Sequence, residues 1–293
     1  MIRYYVVLLA ACVVQGPVFA QSPEAPKKKV LIIGLDGCRP DALKKARTPN
    51  LNELIRNGAF SDKAQTSAQT ISGAGWSSML CGVWPDKHKV PGNDFKANNY
   101  KEYPHFFCRL KEAQPKANTV SISHWAPINK HIVMDCDLVS SPKTGAAVAE
   151  EACDVLRNKN PDVVFTHIDD IDGAGHKFGF SPDVPQYIQE IEKADILIGV
   201  MLKAMRNRKT YAQEDWLVLV STDHGGSGKA HGKNIPEHRT IFLIVSGPSA
   251  MQGATIEPAP GVVDVAVTAL VHLGVPVHEK WKLDGKAVGL KNR

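Results

Sequence analysis

The sequence predicts an α/β fold: a central, mostly parallel sheet flanked by helices on both faces. Two observations lead there. Short continuous apolar runs recur along the 293 residues, each of the kind buried on both sides in a parallel sheet. Between them lie segments whose apolar residues fall at helical spacing, the alternation expected of an α/β domain. A third observation concerns chemistry. Three of the apolar runs end in aspartates and histidines, at the sheet edge where such folds collect ligands.

The first twenty residues read as a secretory leader. Arg3 supplies a positive start, Tyr4 to Val14 an apolar run, and Val18-Phe19-Ala20 a small-residue cleavage site before Gln21. The apolar run is too short for a permanent transmembrane helix. Cleavage near Ala20 implies an exported chain, periplasmic or secreted; the other reading is a lipidation site at Cys12 in Leu9-Ala10-Ala11-Cys12. Residues 21–29 read as a flexible tail and 30–293 as a single domain, long enough for a sizeable core. The net charge of +5 is spread along the chain. It suits a small anionic substrate, and no basic block is dense enough to argue for duplex nucleic acid. Beyond the leader lie Cys38, Cys81, Cys108, Cys136 and Cys153. The odd count leaves at least one unpaired in the monomer, and the spacing is not that of a zinc ribbon. No repeat or low-complexity tract is present.

Taken in order, Lys28 to Gly34 is the first buried strand and delivers Leu35-Asp36-Gly37. Thr48-Pro49-Asn50 opens a helix carrying Leu51, Leu54 and Ile55, which Asn57-Gly58 closes. Ala59 to Gln69 reads as a short strand and loop. From Thr70 to Pro85 the chain passes from loop to helix, with Ser72 at or near the N-cap and Trp76, Met79 and Leu80 on the apolar face. Asp86 to Pro142 is less regular, with a strand at Asn118 to Ser123. The segment through Trp125, Asn129 and His131 either lines a substrate pocket or is a surface excursion. Ala146 to Arg157 is helical, Asp162 to Ile168 a buried strand, Pro185 to Arg208 a long packing helix. Asp215 to Val220 and Thr240 to Val245 are strands, and Val262 to Leu273 is a closing helix.

The chemistry gathers at three strand ends. Asp36 follows the first. Asp169-Asp170-Ile171-Asp172-Gly173-Ala174-Gly175-His176 follows the strand from Asp162, and a tight loop there would fold Asp172 and His176 onto one ion. Three acids within four residues repel each other unless a cation lies nearby. Thr222-Asp223-His224-Gly225 follows the strand from Asp215, with His231 close behind. Carboxylates and imidazoles without thiolates suit zinc, or manganese, and there are ligands enough for two ions. A hydroxyl waits at Ser72, where a helix N-terminus favours an alkoxide or a bound phosphate. Gly73 and Gly75 would let a bulky anion approach the backbone.

These motifs, in this order, resemble the alkaline phosphatase superfamily, and most closely its type I phosphodiesterase and nucleotide pyrophosphatase branch. Leu-Asp36-Gly resembles the family's first metal aspartate. Asp172-Gly-Ala-Gly-His176 resembles its Asp-x-x-Gly-His pair, and Asp223-His224-Gly its Asp-His-Gly. Gly82-Val-Trp-Pro85 with His88 resembles its Gly-x-x-Pro-x-x-His. The likeness runs from about Lys29 to Val275. It implies a nucleophile ten residues before Gly82, which is Ser72; Thr70 is the rival, since the diesterases use threonine. It implies one zinc on Asp36, Ser72, Asp223 and His224. A second would sit on Asp172, His176 and a later histidine, His231 or alternatively His238. The reaction implied is phosphate-ester hydrolysis through a covalent phospho-enzyme.

The chain departs from the pattern in places. Gly75 stands where the diesterases carry a phosphate-binding Asn, leaving Asn93 as the substitute. Lys89 stands where a glycine usually follows the His. Little of the chain remains for a large substrate-capping insert. The rivals are a sulfatase-like sulfate ester hydrolase, a phospho-group transferase and a catalytically silent binding protein of the same fold. Against the sulfatase, Ser72-Gly-Ala-Gly-Trp76 lacks the arginine of the sulfatases' modification motif.

Overall fold

The structure, a computed structural model, describes residues 1–5 and 25–291. The expected leader, including Cys12, lies mostly at residues 6–24, outside the described residues. Among the described residues no helix is long and apolar enough to cross a membrane.

Eight strands form one sheet: β1 (Lys27–Leu35), β2 (Gly58–Gln65), β3 (Thr119–Ser123), β4 (Leu138–Ser140), β5 (Val163–Ile168), β6 (Glu214–Ser221), β7 (Thr240–Ser246) and β8 (Ala254–Thr255). Their order is β4-β3-β5-β1-β6-β7-β2-β8. The ladder is parallel from β4 through β6. Only β7 runs antiparallel to its neighbours β6 and β2.

β1 shows why its sequence carries no polar alternation. Val30 and Ile32 point into one core, and Leu31, Ile33 and Leu35 into another on the opposite face. The first core is closed by Trp76, Met79 and Leu80 of the Ser72–Cys81 helix, with Phe106, Phe107 and Leu270 from two further helices. The second is closed by the Gly145–Asn158 and Pro185–Arg206 helices, through Val148, Ala152, Tyr187, Ile191 and Ile198. A strand covered on both faces must be apolar throughout.

The strand begins at Lys27, so its first three residues fall in the stretch expected as a tail. Lys29 is fully buried; its ammonium donates to the Asn160 side chain at 2.9 Å and the Pro161 carbonyl at 2.5 Å. Those acceptors let a lysine close the bottom of the sheet. The five cysteines from Cys38 to Cys153 are all unpaired.

Parallel register sets the level of the site. Leu35 lies opposite Ile168, and Gly34 opposite both His167 and Ser221. The residues leaving β1, β5 and β6 therefore emerge side by side at the carboxyl edge. Behind them, His88 locks the turn after the Ser72–Cys81 helix. Its Nε2 meets Ser78 Oγ at 2.9 Å and its Nδ1 accepts from the Val90 amide at 3.1 Å. Lys89 caps the short Pro85–His88 helix with φ of 62°, a left-handed conformation that explains the glycine usual there. Replacing Lys89 by glycine removes a side-chain clash of roughly 1–2 kcal/mol, part of which the added chain entropy offsets. Lys89→Gly is expected to stabilise the fold by about 0.5–1 kcal/mol in urea denaturation; a lower midpoint would contradict this backbone account.

Candidate metal centre

The Ser72–Cys81 helix begins at Ser72 itself, with Ile71 as the N-cap in extended conformation. The first helical turn therefore presents Ser72 to the carboxyl edge. Ser72 Oγ lies 3.1 Å from His224 Nε2. The same nitrogen is 3.3 Å from Asp223 Oδ2 and 3.5 Å from Asp36 Oδ1. Asp172 and His176 sit in the Asp170–Phe178 helix, not in the tight loop the two glycines suggested. Helical i,i+4 spacing puts them on one face, with His176 Nε2 3.2 Å from Asp172 Oδ2. His231 crosses from the next loop: its Nε2 is 3.9 Å from Asp172 Oδ1, and its ring stacks on His224 with centroids 3.8 Å apart.

The three carboxylates share a pattern. Asp36 Oδ2 receives the Trp76 indole N–H and faces His167 Nε2, each at 3.0 Å. Asp223 Oδ1 accepts from the Gly37 amide at 3.4 Å. In each case the other oxygen has no partner: Asp36 Oδ1, Asp223 Oδ2 and Asp172 Oδ1 are buried without a hydrogen bond. Orphaned buried acceptors are rare and call for an explanation.

The histidines complement them. His224 Nδ1 meets the Gly225 carbonyl at 2.8 Å, His176 Nδ1 the Lys229 carbonyl, and His231 Nδ1 the Thr70 carbonyl, both at 2.9 Å. A carbonyl can only accept, so each Nδ1 carries the proton and each Nε2 offers a lone pair. In the neutral rings three lone pairs thus face the carboxylates, with the Ser72 hydroxyl beside that of His224. A cation is what this donor set fits, and imidazoles held by backbone carbonyls are the usual form of metal-binding histidine. Among the described residues three groups offer ligand atoms all within 4.8 Å of one another: Asp36, Asp223 and His224; Asp172, His224 and His231; and Asp36, His167 and Asp169. His224 stands between the first two, and His176 joins through Asp172.

Burial and mutual repulsion shift the acids strongly. Burial, then the Asp223 charge, raises the Asp36 carboxyl to about 8. Burial, then the Asp36 charge, raises Asp172 to about 7. Asp223 is pushed well above the carboxylate range by burial and by Asp172. Burial, helped by His224, lowers His231 to about 3, which keeps its lone pair available.

Several expected residues hold other positions. His238 is buried with both ring nitrogens engaged. Its Nδ1 accepts from the Lys233 amide at 3.0 Å and its Nε2 meets Ser227 Oγ at 2.8 Å, so it supports the loop instead of facing the acids. Thr70 is fully buried. Its hydroxyl donates to the Lys233 carbonyl at 3.0 Å and accepts from the Gly232 amide at 3.1 Å, which pins the His231 loop. Gly73 and Gly75 do not open room for an anion. A Cβ on Gly73 would strike the Gly92 carbonyl, and one on Gly75 would lie 2.7 Å from Asp223 Cβ; both are glycine so that protein can approach. Asn93 lies at the helix start, its Oδ1 accepting from the Gly73 amide at 2.8 Å. Its Nδ2 makes no hydrogen bond among the described residues. Asp170 accepts from the Gly145 amide at 2.9 Å and pairs with His124 at 3.4 Å. Phe95 stacks on His131 at 4.7 Å, with Trp125 beside it at 6.2 Å.

Three contributors escaped sequence reasoning. Trp76 packs in the core as its spacing predicts, and its N–H also reaches the Asp36 carboxylate. His167, inside a buried strand, carried no motif. Phe180 sets its ring edge-on to His176 and His231 at 5.3 and 6.1 Å, a contact that only the folded chain shows.

Comparison with known proteins places the chain in a family. The model of the type I phosphodiesterase / nucleotide pyrophosphatase family matches residues 30–129 and 110–243. The chain belongs to this family. It is 23% identical over 246 residues to human bis(5'-adenosyl)-triphosphatase ENPP4, covering 76% of this chain and 52% of the relative. An uncharacterized pyrophosphatase/phosphodiesterase of Schizosaccharomyces pombe is 23% identical over 234 residues, covering 72% and 47%. The chain thus spans about half the length of the curated relatives it matches. Mouse ectonucleotide pyrophosphatase / phosphodiesterase 5 superposes with a TM-score of 0.69 at 15% identity, covering 86% of this chain and 96% of that one. It has also been solved as an inactive Thr-to-Ala form in complex with AMP. BT1596, a 2-O GAG sulfatase, superposes with a TM-score of 0.72 at 14% identity over 90% and 73%. The last three likenesses establish the shared fold.

The acid cluster has a pH signature in the metal-free protein. A carboxyl whose pKa is raised on folding makes the fold lose stability as pH rises from its unfolded value, about 4, through the folded one. The buried histidines, lowered to about 3 or 4, act in the opposite sense, but that gain is complete by about pH 7. Between pH 7 and 8 the Asp36 and Asp172 carboxyls remain to titrate. The melting temperature of chelator-treated protein is expected to fall over that interval, and saturating zinc to abolish the fall. A metal-free melting temperature that climbs from pH 7 to 8 would rule out the raised carboxyls.

Proposed function

We propose that this chain is an exported, two-zinc hydrolase of phosphate esters that works through a covalent phosphoserine on Ser72. The observation that carries the reading is the convergence at the sheet edge. Three orphaned carboxylate oxygens and three imidazole lone pairs face one another, with the Ser72 hydroxyl 3.1 Å from one of them. One cation fits Asp36, Asp223, His224 and Ser72; the other fits Asp172, His176 and His231. Bound there, the pair would lower the pKa of the serine hydroxyl and of a water, and offset charge on the leaving oxygen.

The rest falls to the chain's own groups. Ser72 Oγ forms the bond to phosphorus and the ester oxygen leaves; water then cleaves the phosphoserine and restores the hydroxyl. Asn93, fixed through its Oδ1 to the Gly73 amide, has its Nδ2 left to donate to a phosphate oxygen, the part played by the Asn missing at Gly75. The helix start adds a favourable dipole for that anion. Thr70, with its hydroxyl already donated and accepting, positions His231 and is not the nucleophile. Zinc suits an N/O ligand set of this kind, with manganese the alternative. The relatives' names make nucleotide phosphodiesters and pyrophosphates the first substrates to try. The sulfatase neighbours make a sulfate ester the necessary control.

Ser72→Ala is expected to lose at least about 1,000-fold in kcat on a nitrophenyl phosphodiester, the scale of a lost nucleophile. Thr70→Ala should keep most of kcat and weaken zinc binding through the His231 loop. Activity surviving Ser72→Ala but not Thr70→Ala would reverse the assignment, and faster hydrolysis of the matching sulfate than of the phosphate would move the chain to the sulfatase side. In the metal assay, His231→Ala should retain one zinc per chain and His238→Ala two; the opposite result would exchange their places.

A further inference from the structure

His167 faces the same cluster from inside β5, and it is wired the other way round. Its Nδ1 accepts from the Trp125 backbone amide at 3.3 Å. A backbone amide can only donate, so in the neutral ring the proton sits on Nε2. That nitrogen lies 3.0 Å from Asp36 Oδ2. His224, His176 and His231 have the opposite tautomer, fixed by carbonyls. His167 therefore presents an N–H to the site where they present lone pairs.

Resting on the two-cation reading above, we infer that His167 is a positioning residue. Its Nε2–H and the Trp76 indole N–H hold Asp36 Oδ2 between them, which turns the orphaned Asp36 Oδ1 toward Asp223, His224 and Ser72. The geometry has three supports. Both donors reach the same oxygen at 3.0 Å. Their rings meet edge to face, with centroids 4.7 Å apart and planes at 84°, so each fixes the other's direction. The ring is fully buried at the level where β3, β5 and β1 are in register, with Ser123 and Gly34 on either side. Full burial and a hydrogen bond at each ring nitrogen hold it in that direction.

Asp36, His167 and Asp169 also lie close enough to suggest a third cation. The tautomer argues against it, since Nε2 has no lone pair to give while the Trp125 amide occupies Nδ1. The wiring has a further consequence. Trp125 stands beside Phe95, which stacks on His131, so one imidazole joins that loop's backbone to the Asp36 carboxylate.

The test measures zinc affinity by chelator competition on His167→Phe, which keeps a buried ring without the donor, and on His167→Gln, which keeps a donor. Partners of this kind are worth about 10–100-fold in metal affinity. The expected result is a loss of that size at one of two sites in His167→Phe, the other site unchanged, and recovery to within about threefold in His167→Gln. Equal affinity in wild type and His167→Phe overturns the inference, as does a Gln variant no better than Phe. So does a third zinc in wild type that both variants lose. Should His167→Phe not fold, nitrogen NMR of the metal-free wild type decides: the His167 proton is expected on Nε2, and a proton on Nδ1 alone overturns the proposal. A wild type that binds no divalent cation would instead remove the two-cation reading on which this rests.

Discussion

Three carboxylates that cannot all be ionised together without help govern the upper edge of this molecule. Asp36, Asp223 and Asp172 leave three neighbouring parallel elements at the same level, are largely removed from water, and each keeps an oxygen with nothing to bond. Burial and mutual repulsion push all three toward protonation. A chain that wanted only a stable edge would have placed apolar residues there, since buried unpaired charge is among the least favourable things a fold can hold. The surrounding design makes sense as a means of keeping those oxygens aimed and dry until a cation arrives.

The supports come from every layer. Parallel register sets Gly34 level with His167 and Ser221, which fixes where Asp36 and Asp223 emerge. The Ser72–Cys81 helix brings the hydroxyl and also Trp76, so the hydroxyl and the Asp36 carboxylate are aligned by one rigid body. Gly75 lets that helix lie against Asp223. Backbone carbonyls of Thr70, Gly225 and Lys229 choose the tautomer of three histidines, while the Trp125 amide chooses the other tautomer for His167. The arrangement sorts its imidazoles into lone-pair and N–H roles through which backbone group each one meets.

Much of this was legible in the sequence, and the reasons are local. The strands of β1, β5 and β6 announced themselves because two-sided burial forces uninterrupted apolar runs. Asp36, Asp172 with His176, and Asp223 with His224 stood out because charged residues directly after such runs have few structural uses. What escaped depended on relations that spacing does not encode. The Asp172 segment is helical, because Gly173 and Gly175 are tolerated where Ile171 and Ala174 pack into the core; glycine alone pointed to a loop. Gly73 and Gly75 looked like room for a ligand and are contacts between backbone and side chains. His231 leaves its Nε2 open while His238 engages both ring nitrogens, a difference that spacing does not encode. His167 was invisible because a histidine in an apolar strand looks the same whether it fills space or holds a carboxylate.

The central claim is that the orphaned oxygens and the Nε2 lone pairs share two cations. Anomalous diffraction at the zinc edge, from crystals of the zinc-loaded protein, tests it most directly. The account predicts two peaks per chain about 4 Å apart, one touching Asp36, Asp223 and His224 and the other Asp172, His176 and His231, with His167 touching neither. A single peak, or a peak on His167, would contradict it.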